Sequence, residues 1–60
     1  VSMVDTVLRV RETSPVWDKI PDKDEPFVLV VKDFEDGRLL VLDTGQREHV
    51  IAKRHVRRLN

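Results

Sequence analysis

The chain has no cysteine and no tyrosine, two glycines, one tryptophan and two phenylalanines. Without cysteine there is no disulfide and no thiolate metal site, which fits a reducing, intracellular setting. With so few aromatics it cannot build the parallel ridges of a proline-peptide groove. A methyl-lysine cage needs about three aromatics around one cation. Here that would consume Trp17, Phe27 and Phe34 together, and Phe27 is better placed as a core residue. No apolar run approaches the ~18 residues of a transmembrane helix. No basic start leads into an apolar stretch, as a signal peptide would. The first residue is Val1 rather than Met, and we read the chain as an excised piece of a longer protein.

Catalytic and metal chemistry are equally short of parts. The only hydroxyls are Ser2, Thr6, Thr13, Ser14 and Thr44, and none lies in a nucleophile-elbow or phosphate-loop context. Asp22, Asp24 and Glu25 form an acidic cluster of the kind that usually solvates a loop. His49 and His55 are six apart with only Glu48 beside them, and they read as surface histidines rather than ligands. The expectation is a non-catalytic domain with no metal and no cofactor.

What is present is charge and β-branched hydrophobicity. Charged residues make up 37% of the 60-residue chain, hydrophobic ones 40%, and the net charge is zero. The charge is segregated. Residues 46–60 carry five Lys/Arg against one acid, and residues 1–45 carry six against ten. A net charge of zero argues against a strong, purely electrostatic nucleic-acid binder, but the segregation leaves room for a local basic patch.

The periodicity is that of strands. In VLRVR (7–11), Leu8 and Val10 alternate with Arg9 and Arg11, the pattern of a half-buried strand. FVLVVKD (27–33) is a continuous run suited to burial on both faces. RLLVLD (38–43) follows a tight turn at Asp36-Gly37, and REHVIA (47–52) follows Asp43-Thr44-Gly45, with Gly45 as the turn residue. Between the first strand and this meander, residues 12–26 hold all three prolines and read as a long loop pinned by Trp17 and Ile20. In HVIAKRHVRRLN (49–60), a 3₁₀ step at 53–55 before a strand at 56–59 would turn Val50, Ile51, Val56 and Leu59 inward. The plan is that of one all-β domain: a five-stranded SH3-like barrel with a long loop after its first strand and a 3₁₀ turn before its last.

In such a barrel the first and last strands are neighbours. Arg9 and Arg11 would then join Arg54, Arg57 and Arg58, together with Lys53, in one basic surface suited to phosphate oxygens. The competing reading is a solvated face paired with Glu12, Glu48 and Asp43. Trp17 is either a lid over the open end of the barrel or a recognition residue.

DTVLRVRETSP, EPFVLVV and DGRLLVLDTGQREHVIAKRHVRRL resemble, in order, three pieces of the C-terminal domain of gypsy-type and retroviral integrases. These are its opening strand, its Gly-Pro-Tyr/Phe module (with Glu25 in place of Gly) and its hairpin with the closing strand. The resemblance covers Asp5 to Leu59. It implies an SH3-like barrel whose parent carries the catalytic acids in a separate, preceding domain. It implies weak, sequence-independent DNA contact and a part in assembly with sister subunits or other integrase domains. In some lineages such domains also bind a host chromatin protein, and the setting is nuclear. It singles out Pro26 and Phe27 as the module's own residues, and Arg57, Arg58 and Leu59 at the end. The rival expectation is a protein-interaction module that takes a peptide or sister subunit on an edge strand or on the Trp17 loop. Self-association alone is a third.

Overall fold

The computed structural model describes residues 2–59; Val1, on which the reading of an excised piece rests, lies outside them. Five strands form one antiparallel sheet: β1 (Val7–Val10), β2 (Phe27–Asp33), β3 (Arg38–Leu42), β4 (Glu48–Ala52) and β5 (Val56–Arg58), in the order β4-β3-β2-β1-β5. The fold is therefore the small all-β, barrel-like one expected. Among the described residues no helix is long and apolar enough to cross a membrane.

Period-2 patterning decides which residues enter the core. Leu8, Val10, Val28, Val30, Leu39, Val41, Ile51 and Val56 are buried, and Ile20 of the long loop closes over them. β2 is not buried on both faces. Its burial alternates over Phe27–Val30, with Leu29 exposed, because only one face of the sheet meets the core. The β2–β3 register shifts between Val30 and Lys32. A bulge of this kind bends a strand and raises its twist, which helps the sheet curl around its core.

Ile51 and Val56 are five residues apart, so an unbroken strand would point them to opposite faces. A 3₁₀ turn at Lys53–His55, closed by the Val56 amide donating to the Lys53 carbonyl, resets the phase and both enter the core. The same rule corrects three expectations, the first at Phe27, placed in the core by its hydrophobicity but half-buried on the outer side beside inward Val28. Val50 adjoins inward Ile51, and Leu59 lies three residues past inward Val56, so both face outward, each 51% exposed.

The long loop carries a second 3₁₀ helix, Pro15–Lys19, which the periodicity did not announce. Buried Ser14 caps it by accepting from the Val16 amide at 3.1 Å, and Pro15 fits its first position because no amide is needed there. Trp17 and Ile20 do pin the loop: Ile20 is core and Trp17 packs partly buried against it.

The turns depend on aspartates more than on glycines. Before β3, positive φ occurs at Gly37 (94°) and at Glu35 (61°), not at Asp36. After β3 it occurs at Gln46 (63°) rather than at Gly45. Gly45 is small for another reason. A Cβ there would lie 3.3 Å from Oδ1 of Asp43, the acceptor for the Gly45 amide itself.

Candidate nucleic-acid interface

β1 lies between β2 and β5, and the register sets its outward residues against theirs. Arg9 stands opposite Phe27 on one side and opposite Arg57 on the other. Residues directly opposite in a ladder share a face. The outer surface therefore carries a row Phe27–Arg9–Arg57. The Arg11 amide donates to the His55 carbonyl at 2.8 Å, which extends the β1–β5 pairing beyond Val10 and keeps Arg11 on the outward side with Arg9.

Arg9, Arg11, Arg57 and Arg58 are all exposed. None takes part in an ion pair among the described residues, where the pairs are Arg38–Asp36, His49–Asp43 and Lys53–Asp33. The pairing of these arginines with Glu12, Glu48 and Asp43 is thus not formed. Two guanidinium groups placed directly opposite repel one another, and this local conflict contributes nothing to the fold.

Two open hollows flank the Arg9–Arg57 pair. One, of about 510 Å³, is lined by Arg9, Phe27, Arg57, Arg58 and Leu59. The other, of about 240 Å³, brings Trp17 beside Arg9, Arg11 and Arg57, with Glu12 at its rim. Trp17 is thus both a partial lid on the core and a wall of the arginine face.

The remaining candidates lie elsewhere. Lys53 sits 3.5 Å from Asp33 at the β2–β3 hairpin, its amide donating to the Gly37 carbonyl. Arg54 lines a separate cleft with Pro15, Val16, Val50 and Ile51. Pro26 is fully buried, and its carbonyl accepts from the Val10 amide, so its side chain has no surface to offer a partner.

The expectation that both histidines lie on the surface is corrected for His49. Its side chain is 11% exposed and its Nε2 lies 2.7 Å from Oδ2 of Asp43, itself buried. Burial pushes the Asp43 carboxyl up, but the Arg47 amide, the His49 ring and the Gly45 amide outweigh it and hold it below its ordinary value of 3.8. A signal for this pair existed. His49 has the parity of Ile51 and so turns to the inner face, six residues from Asp43. Among the described residues no three metal-ligating side chains come together.

Comparison with protein-family models, with curated proteins and with solved structures finds no match. The integrase resemblance rests on the short motifs alone.

Proposed function

We propose that the chain is a non-catalytic nucleic-acid-binding and assembly domain of an integrase-like protein, contacting the DNA backbone without sequence preference. The observation that carries this reading is the Arg9–Arg57 opposition across β1 and β5, with Arg11 on the same side, Arg58 exposed at the end of β5 opposite Leu8, and no carboxylate partner for any of the four among the described residues. Guanidinium groups carried on a sheet, without ion-pair partners among the described residues, present their forks to phosphate oxygens. Binding through about four such groups is weak, salt-dependent and blind to sequence. An integrase-like role would bring the domain to nuclear DNA. Amide-shift mapping with a short duplex tests this: the reading expects the largest shifts at Arg9, Arg11, Arg57 and Arg58, and shifts confined to residues 13–25 would overturn it.

A second reading is favoured by a different observation. β4 is a sheet edge, and its exposed Val50 borders a cleft of about 250 Å³ shared with Pro15, Val16 and Ala52. An extended peptide, a sister subunit or a host chromatin protein could add to that edge. Shifts centred on Val16 and Val50 with a candidate peptide would favour it.

A further inference from the structure

The arginine face carries more than a backbone contact needs. Duplex DNA presents phosphates and sugars outward and keeps its base planes stacked inside, so aromatic side chains beside the arginines would have nothing to meet. Yet both hollows that flank Arg9 and Arg57 are walled by an aromatic, Phe27 in one and Trp17 in the other, and both rings are only partly buried. Apolar surface continues beyond Phe27. Leu59 lines the same hollow, and Val7 stands opposite Leu29 one outward row further along the sheet, all three exposed. Exposed apolar side chains suit a polyanionic duplex surface poorly. They suit the flat faces of unpaired bases.

Cationic groups interleaved with aromatic ones are the physical requirement for holding a single strand: guanidinium groups take the backbone while bases stack on the rings. We propose that this face takes single-stranded nucleic acid in preference to duplex, with bases against Phe27 and Trp17 on either side of the Arg9–Arg57 pair. The inference rests on the reading that these arginines contact phosphates. The larger hollow, at about 510 Å³, falls in the ~300–1,000 Å³ range of pockets that enclose a small ligand, which is room for one nucleotide. Base stacking is tolerant of sequence, because every base has a π face. Lining of this kind discriminates strandedness, not sequence.

Trp17 is the only tryptophan and there is no tyrosine, so its fluorescence reports the second hollow directly. The 60-residue chain is titrated at one low salt concentration with a thymidine dodecamer, a duplex of equal length, and an abasic dodecamer that keeps the phosphates and lacks the bases. The inference expects quenching of Trp17 by the thymidine strand. It also expects that strand to bind about ten-fold tighter than the abasic strand or the duplex. Phe27→Leu, which keeps an apolar side chain, should lower the ratio of single-strand to duplex affinity by about ten-fold, with the circular dichroism spectrum of the folded protein retained. A uridine dodecamer separates the two sources of single strand, RNA and DNA, and tighter binding of either supports the inference. If the abasic strand or the duplex binds as tightly as the thymidine strand, with affinity still falling as salt rises, the inference fails and the phosphate reading stands. If none of the strands binds at low salt, both fail.

Discussion

His49 and Asp43 join the two ends of the β3–β4 turn, with Nε2 of the imidazole 2.7 Å from Oδ2 of the carboxylate and both side chains largely withdrawn from solvent. An ionised carboxylate only accepts, so the bond requires the proton on Nε2. The other carboxylate oxygen accepts from the Gly45 amide at 2.8 Å and the Arg47 amide at 3.0 Å. One side chain thus ties the turn together. Asp43→Ala removes all three bonds and should cost about 2–4 kcal/mol. That approaches the ~3–5 kcal/mol a core this small supplies. Asp43→Asn keeps an acceptor for the two amides and should cost less. Urea midpoints of the two variants check the order.

Acid should unfold the domain through its aspartates. Asp33 is held low first by the Glu35 amide and further by the Met3 amide and Lys53, against its partial burial. Asp36 is held low chiefly by its bond with Arg38. With Asp43, all three lie below the ordinary value of 3.8. Each therefore binds its proton less readily folded than unfolded. The stabilisation is fully present above the unfolded value and is lost as pH falls through the folded ones. The melting temperature should drop below pH about 4, and less steeply in Asp43→Asn. The exposed Asp36–Arg38 pair is screened by solvent and should contribute least.

The two glycines should fail for different reasons. Gly37→Ala meets nothing within 4 Å but must hold φ at +94°, a backbone penalty of about 1–2 kcal/mol. Gly45→Ala presses on Oδ1 of Asp43, which the Gly45 and Arg47 amides already hold in place while His49 holds Oδ2. A double-mutant cycle with Asp43→Ala should show coupling for Gly45 and none for Gly37.

The inward and outward sides of β4 are open to a paired substitution. Ile51→Val should cost about 0.5–1.5 kcal/mol as a buried methyl is lost. Val50→Thr, on the outward side, should stay within about 0.5 kcal/mol. Equal effects measured by chemical denaturation would contradict the register.

The strands were legible because alternation is a physical signature. Leu8 and Val10, or Leu39 and Val41, declare one buried face, and the odd spacing of Ile51 and Val56 demands a turn between them. Hydrophobicity alone misled at Val50 and Leu59, where parity should have ruled: neighbours in a strand cannot share a face. At Asp43-Thr44-Gly45 the glycine suggested positive φ, whereas the carboxylate fixes the turn and Gln46 takes the left-handed conformation. The meeting of Arg9 and Arg57 followed from the adjacency of first and last strands. The arrival of Trp17 beside them did not, because no periodicity encodes the path of a proline-rich loop, although Ser14-Pro15 was a helix-start signal that could have been used. Nor could sequence alone show that Asp33 engages Lys53, or that Arg54 turns to another cleft.

The central claim is that Arg9, Arg11, Arg57 and Arg58 act together on phosphates. The most direct measurement is the affinity for a labelled duplex at several salt concentrations, for the chain as it stands and for Arg57→Glu with Arg58→Glu. With about four phosphates neutralised, log affinity should fall against log salt with a slope of about −3.6. The double variant should lose binding while its circular dichroism and melting transition stay those of the folded domain. No binding at low salt, or a double variant that binds as tightly as the parent, would contradict the account.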